Sequence, residues 1–192
     1  MQTAIDRLLR YFRTQQAWRA AQNFIPTAQH IFDIGCDDNY FLRRFLKLSP
    51  IPNLVGIDPA TQHHHPQIKN IIGRFPEDLP HSEQQNQYDL IFGLAVFEHF
   101  PEASLPDVIR TLAAMLAPQG RVVLTIPHPA VDYLVNGLTM LHLIDAKAQA
   151  EHHHFDPARL PALMAEYFIL EKHYRFECGM NNLMIFRRKM NE

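Results

Sequence analysis

The chain has 192 residues, of which 47% are hydrophobic and 20% charged, and its formal net charge is −2. This composition is typical of a globular domain and excludes the disordered and fibrous classes. No basic field is available to attract nucleic acid or anionic lipid, and no apolar run approaches the ~20 residues of a membrane span. The two cysteines form no metal motif, and the N-terminus lacks a signal-peptide pattern, so we expect a cytoplasmic protein.

Residues 4–22 carry apolar side chains at helical spacing and predict an amphipathic helix within the N-terminal segment 1–28. Two interpretations are open for this helix. It either packs on the flank of a sheet, which the pattern favours, or it forms a flap over a ligand.

The next stretch, His30–Phe41, is read as a buried strand followed by a tight turn at Gly35. Tyr40–Leu48 alternates apolar and basic residues and predicts an amphipathic helix. A strand, a glycine turn and a helix in this order build an anion- or nucleotide-binding crevice at the N-terminus of the helix.

A second strand, Asn53–Asp58, ends in an acid. Asp58 lies roughly 20 residues beyond Gly35, where an α/β nucleotide site places the carboxylate that accepts hydrogen bonds from ribose hydroxyls. The two segments together therefore predict a nucleotide site.

The rest of the chain continues as alternating strands and helices in one domain, 1–192. Further strands are predicted at Ile68–Gly73, Tyr88–Val96, Arg121–Ile126, Phe168–Phe176 and Leu183–Lys189. A short Gly/Asn connection between the last two favours an antiparallel hairpin. Residues 130–155 form an apolar insert, either a cover over the substrate or a surface helix pair that completes the core.

Two histidine runs, His63–His65 and His152–His154, are candidates for metal binding. Three consecutive side chains cannot all face one ion from a regular strand or helix, so we interpret His63–His65 as a solvated loop. Glu98, His99 and Glu102 are an alternative site for a divalent cation, although their spacing alone is weak support. We predict no metal site.

Four segments resemble motifs of the class I S-adenosylmethionine-dependent methyltransferases, in the order and at the spacing of that family. They are DIGCDDNYF at 33–41, VGID at 55–58, YDLI from 88 with Glu98-His99 after it, and LAPQGR at 116–121. The resemblance implies an α/β fold: a single Rossmann-like domain with a mostly parallel seven-stranded sheet, an antiparallel C-terminal hairpin and helices on both faces. It also implies S-adenosylmethionine as the cofactor.

The same resemblance assigns residues to the parts of the cofactor. The backbone at Gly35 would hold the methionine part, Asp58 the ribose and the turn after the third strand the adenine, while residues 97–100 would face the sulfonium. The cofactor-binding residues implied are Asp33, Gly35, Cys36, Asp37, Asn39, Phe41, Asp58, Pro59, Phe75, Glu77, Asp78 and Phe97.

The loop departs from the family pattern at two positions. Family loops usually carry glycine where Asn39 stands and often where Asp37 stands. Asn and Asp are the non-glycine residues that best tolerate left-handed backbone, so the turn remains feasible. Asp37 nevertheless brings a negative charge toward the expected carboxylate of the cofactor.

Candidate catalytic residues lie after the fourth and fifth predicted strands. His99 and His128, with Glu98 nearby, could accept a proton from a hydroxyl or an amine near neutral pH. The alternative is that Glu98 and His99 form a hydrogen-bonded corner of the cofactor pocket.

Three functions are compared. The first is a methyltransferase acting on an oxygen or nitrogen atom of a small molecule, glycan precursors included, as a monomer or homodimer without nucleic-acid or membrane partners. The second is a methyltransferase-fold protein with weak or no turnover that serves as a binding or partner subunit. The third, a nicotinamide dehydrogenase, is disfavoured because the loop lacks Gly-x-Gly-x-x-Gly.

Overall fold

A central seven-stranded sheet organises the chain in a computed structural model that describes residues 4–61, 64–128 and 155–189. The strands are β1 (His30–Ile34), β2 (Asn53–Asp58), β3 (Ile68–Ile72), β4 (Tyr88–Leu94), β5 (Leu116–Pro127), β6 (Phe168–Phe176) and β7 (Asn181–Arg188). Their order is β3-β2-β1-β4-β5-β7-β6, and β7 runs antiparallel to both of its neighbours while the others are parallel. The predicted sheet and its closing hairpin are confirmed.

The helices described are α1 (Ala4–Ala21), α2 (His81–Gln84), α3 (Leu105–Met115) and α4 (Leu160–Met164). Short 3-10 helices occupy Ile25–Thr27, Leu42–Lys47, Phe97–His99, Glu102–Ser104 and Pro157–Arg159. None of the helices in the described ranges is long and apolar enough to cross a bilayer.

Two apolar layers lie on opposite faces of the sheet because successive strand residues point to opposite sides. On β1, Ile31 joins the layer beneath α1, whereas Phe32 joins the layer beneath α3 and α4. Ala17 of α1 and Val108 of α3 are both fully buried against these layers. Helices therefore cover both faces, as predicted.

The predicted α-helix over Tyr40–Leu48 is wrong, because this segment forms a 3-10 helix at Leu42–Lys47. Leu42 and Phe45, three residues apart, are both fully buried, which suits three residues per turn. The Ser49-Pro50 pair follows immediately and leaves no room for a longer helix.

Some predictions fall on residues outside the described ranges. The insert 130–155 lies there except for Phe155, as do His152–His154 and His63. The described neighbour His64 is exposed. The N-terminal helix is confirmed as α1, while the single-domain division of 1–192 stays a prediction.

Candidate functional site

The carboxyl ends of β1 and β2 meet at one edge of the sheet, where the turn after β1 contacts the end of β2. Gly35 turns the chain with φ +74°, a conformation that suits a residue without a Cβ. Its N–H and that of Cys36 both donate to the carbonyl of Ile57, at 2.9 and 3.4 Å. The structure thus brings the Gly35 turn and Asp58 to one crevice.

Asp58 is half-buried at the end of β2, and its carboxylate is oriented by two backbone N–H groups. Oδ2 accepts from the N–H of Asp37 at 3.1 Å, and Oδ1 accepts from that of Ala60 at 2.7 Å. A carboxylate has about four acceptor positions, so capacity remains for the two hydroxyls of a ribose. This pre-oriented acceptor fits a nucleoside, with exposed Pro59 beside it.

The Cys36 side chain fills the space between the loop and β2. A Cβ added at Gly56 would lie 2.7 Å from Cys36 Sγ, so β2 approaches the thiol closely because it carries glycine there. Burial raises the pKa of the thiol further above its ordinary value, and the nearby acid Asp33 adds to this. The side chain of Cys36 is therefore a packing group, and its contact with a cofactor stays a prediction.

Asp33 is a buried carboxyl group near the end of β1, only 3% exposed. Burial, with the charge of Asp58 adding to it, raises the pKa of Asp33 to about 8, while Arg10 of α1 acts in the opposite direction. Near neutral pH this acid therefore holds its proton for a large part of the time.

The two non-glycine positions of the loop do adopt left-handed backbone, with φ 45° at Asp37 and 62° at Asn39. Asn39 is fully buried, and its Nδ2 donates to Oδ1 of Asn70 at 2.9 Å. Asp37 is exposed, and its Oδ2 accepts from Arg10 at 3.2 Å. The asparagine thus holds the loop to β3, and the aspartate holds it to α1.

Several aromatic residues that the resemblance assigned to the cofactor lie in the core. Phe41 packs edge-on against Phe92 at 4.8 Å between ring centroids, and Phe75 lies 6.1 Å from the Phe32 ring. Phe97 is fully buried. Their contact with a cofactor stays a prediction.

The turn after β3, assigned to the adenine, exposes its two acids. The side chain of Asp78 caps the turn, since its Oδ2 accepts from the N–H of Arg74 at 2.8 Å. Glu77 is exposed beside it. Either acid is accessible to a ligand on this side of the crevice.

The predicted catalytic residues follow the ends of β4 and β5, and one of them, Glu98, acts electrostatically on Arg13 of α1. Burial lowers the pKa of Arg13, and the carboxylates of Glu98 and Glu177 act in the opposite direction. The backbone N–H of His128 donates to the carbonyl of Met180, in the turn between β6 and β7, at 2.7 Å. The site therefore combines the end of β4, the end of β5, α1 and the β6–β7 turn.

Three charged residues at this edge were missed by the sequence analysis: Arg10, Arg13 and Glu177. Arg10 and Arg13 are three residues apart, which places them on one face of α1. That spacing indicates that the two arginines could contact the same neighbouring element, but it does not identify that element. Among the described residues, no group of three His, Cys, Asp or Glu side chains is arranged to hold a metal ion.

The sequence of residues 2–167 matches the methyltransferase domain family. The chain belongs to that family. This confirms the predicted class I S-adenosylmethionine-dependent methyltransferase resemblance, and with it the methyl donor that the resemblance implies. Among curated proteins none matches the sequence.

Solved structures share the fold at low sequence identity. The N-methyltransferase NodS from Bradyrhizobium japonicum is 16% identical, with a TM-score of 0.62 over 96% of this chain and 99% of that one. Magnesium protoporphyrin IX methyltransferase from Synechocystis PCC 6803, solved with S-adenosylhomocysteine, is 13% identical, with a TM-score of 0.66 over 98% and 89%. The plantazolicin methyltransferase BpumL, solved with a triazolic desmethylPZN analogue and S-adenosylhomocysteine, is 13% identical, with a TM-score of 0.70 over 93% of this chain and 85% of that one.

Proposed function

We propose that the chain transfers the methyl group of S-adenosylmethionine to an oxygen or nitrogen atom of a small molecule, glycan precursors included. The observation that carries this proposal is the meeting of the Gly35 turn with the oriented carboxylate of Asp58. Family membership supports the methyl transfer, and the small-molecule acceptor is supported by the similar fold of BpumL, which was solved with a triazolic desmethylPZN analogue. We further propose that the protein is cytoplasmic and forms a monomer or a homodimer. Light scattering of the purified protein gives its molecular mass and so distinguishes these two states.

In this proposal, Asp58 accepts hydrogen bonds from the ribose, and the backbone at Gly35 faces the methionine part of the cofactor. The bound cofactor supplies an electrophilic methyl group, which is transferred by in-line displacement. The protein's contribution is then mainly positioning and electrostatics, and positioning of this kind can lower a barrier by about 7–11 kcal/mol.

The acceptor side of the crevice offers His99, His128 and Glu98 as candidates for holding the acceptor's proton. His128 is fixed by its backbone to the β6–β7 turn, and Glu98 is 4% exposed. A neutral imidazole at either histidine suits proton acceptance near pH 7. The alternative, that Glu98 and His99 only shape the pocket, stays open.

Calorimetric titration with S-adenosylmethionine, S-adenosylhomocysteine and NAD tests the proposal. We expect Asp58→Ala to raise the Kd for the two adenosyl ligands at least tenfold, about 1.4 kcal/mol, because a charge-assisted hydrogen bond is lost. The matched control is Asp107→Ala, which removes an acid that is 63% exposed on α3.

Each result of the titration decides between the functions. An unchanged Kd in Asp58→Ala contradicts the role of this residue. Failure of the native chain to bind either adenosyl ligand favours the non-catalytic binding protein, which the acid-bearing loop motivated. Binding of NAD alone favours a dehydrogenase. In the same titrations, His99→Ala and His128→Ala retain affinity if these residues serve the acceptor.

A further inference from the structure

The N-terminal helix contacts the loop expected to hold the cofactor through one arginine. Arg10 Nη1 lies 3.2 Å from Oδ2 of Asp37, and its Nη2 forms an ion pair with Oδ1 of Asp38. The guanidinium also lies over the ring of Tyr40, at 4.6 Å from the centroid. A single side chain of α1 thus contacts three residues of the loop by charge and by stacking.

These contacts fix the directions of both loop carboxylates. Asp38 Oδ1 accepts from the N–H of Tyr40 at 3.0 Å as well as from Arg10. The N–H of Asp37 donates to Asp58, so its side chain leaves the loop while its backbone faces the crevice. The side chain of Arg10 is 20% exposed, whereas those of its partners Asp37 and Asp38 are 53% and 32% exposed.

The electrostatic problem at this loop is an excess of negative charge. Asp37, Asp38 and Asp58 lie within one short turn and the strand end beside it. A ligand that carries an amino-acid carboxylate would be repelled by this group, since like charges at short range disfavour each other. Arg10 is the cation placed against it.

We propose that Arg10 is a positioning residue for cofactor binding: it neutralises Asp37 and Asp38 and holds their carboxylates away from the carboxylate of the cofactor's methionine part. This inference rests on the proposed function. It explains how a loop with two acids can serve a cofactor whose amino-acid end is itself an anion.

The docking of α1 does not depend on Arg10 alone, which makes the inference testable. Arg44 of the 3-10 helix donates to the carbonyl of Thr14 and to Oε1 of Gln15, at 3.3 and 3.2 Å. Its guanidinium also stacks on Trp18, at 4.6 Å from the ring centroid. Trp18 is the chain's sole tryptophan, so its fluorescence reports whether α1 stays in place.

The test is a double-mutant cycle measured by calorimetry with S-adenosylhomocysteine and with 5′-methylthioadenosine, which lacks the amino-acid end. We expect Arg10→Met to raise the Kd for S-adenosylhomocysteine about tenfold, and that for 5′-methylthioadenosine less than about threefold, because only the first ligand carries the carboxylate. Arg10→Lys should recover most of the loss. The control is Arg7→Met, which removes a charge from an exposed position of the same helix.

The cycle is completed by combining Asp37→Asn with Asp38→Asn. In that background we expect Arg10→Met to change the Kd for S-adenosylhomocysteine by less than about threefold, since there is no loop charge left to neutralise. A tenfold loss that persists there would overturn the inference, because Arg10 would then hold the ligand itself. Equal losses for both ligands, or a shift in Trp18 emission, would overturn it in favour of a structural role. Failure of the native chain to bind either ligand would overturn the proposed function as well.

Discussion

Two buried carboxyl groups lie at opposite ends of the central sheet, and their pKa values are shifted in opposite directions. Glu83 of α2 lies beside the N-terminal ends of β3 and β4 and is 2% exposed. Asp33, near the C-terminal end of β1, is 3% exposed. Both are almost fully shielded from solvent, and the hydrogen-bond donors around Glu83 are a main difference between them.

Glu83 is surrounded by donors. Lys69 Nζ and the Tyr88 hydroxyl donate to its two oxygens, and Asn86 Nδ2 donates at 2.8 Å. Burial alone would raise the pKa of Glu83, but these hydrogen bonds outweigh it and lower the pKa. The carboxylate is thus stabilised in its charged form, which is what a structural network requires.

Asp33 has the reverse environment, because its burial raises the pKa and the nearby acid Asp58 adds to this. The same edge of the sheet carries residues with unfavourable backbone. All the non-glycine residues with positive φ in the described ranges follow the C-terminal ends of strands: Asp37, Asn39, Ala95, Glu177 and Cys178. Backbone strain and a carboxyl group with a raised pKa are therefore concentrated where the ligand is proposed to bind, as is common at functional sites.

The largest effect is expected from Glu83→Ala. This change leaves the buried Tyr88 hydroxyl and the amide of Asn86 without their acceptor, so we expect the free energy of unfolding to fall by about 2–4 kcal/mol at pH 7 in urea titrations. The lowered pKa of Glu83 means that its contribution is present above the unfolded-state pKa and is lost as the pH falls through the folded-state pKa. The difference between the two proteins should therefore shrink in acid.

Lys69→Met is the matched control for this network. It removes one donor to Glu83, but the lysine side chain is 56% exposed, so solvent screens its charge. We expect a loss below about 1 kcal/mol. A loss equal to that of Glu83→Ala would show that the ion pair, and not the buried hydroxyl and amide, dominates the network.

An effect of opposite sign, which grows with pH, is expected from Asp33→Asn. The unfolded-state pKa of an aspartate is about 3.9, whereas burial and Asp58 raise that of Asp33 to about 8. The native chain therefore loses stability as the pH rises from the first value through the second, because folding must then retain a proton that the unfolded chain releases. We expect the free energy of unfolding of Asp33→Asn to rise relative to that of the native chain across this window, by up to about 1.4 kcal/mol per pH unit, with no further gain above it.

Urea titrations across that pH range measure the difference, with Asp107→Asn on the surface of α3 as the control. A difference that stays constant with pH would contradict the raised pKa of Asp33. The same substitution separates stability from function if it also weakens binding of S-adenosylhomocysteine, since the acid would then be retained for the ligand and not for the fold.

The fold was predictable because its strands are nearly continuous apolar runs with clear ends. The bounds of β2 and β6 are those the sequence predicts, since Asp58 ends one run and the β6–β7 turn follows the other. The segment around Leu42 and Phe45 was not predictable as a 3-10 helix, because the same spacing also fits an α-helix. Its length was decided by packing against the sheet and by the proline pair after it.

The candidate site could be predicted from the sequence only for residues whose role follows from their own local segment. The Gly35 turn and the acid of Asp58 follow from local sequence and meet as expected. Arg10 and Glu177 come to the site from α1 and the β6–β7 turn, and nothing in their local sequence specifies those long-range contacts. Phe75 and Phe97 were assigned to the cofactor from their motif positions, yet both side chains are buried. A motif position does not tell whether an aromatic ring faces a ligand or the core.

The smallest predicted effect tests whether the functional edge is under backbone strain. Ala95 follows β4 with φ 57°, held by its N–H bond to the carbonyl of Thr125 at 2.8 Å. A left-handed conformation costs an L-residue about 1–2 kcal/mol, and glycine avoids this at an entropic cost of about 0.5–1 kcal/mol. We therefore expect Ala95→Gly to raise the free energy of unfolding by about 0.5–1 kcal/mol. Ala114→Gly, at an exposed position of α3, should instead lower it by about 1 kcal/mol, so the same substitution changes sign between the two regions unless Ala95 is unstrained.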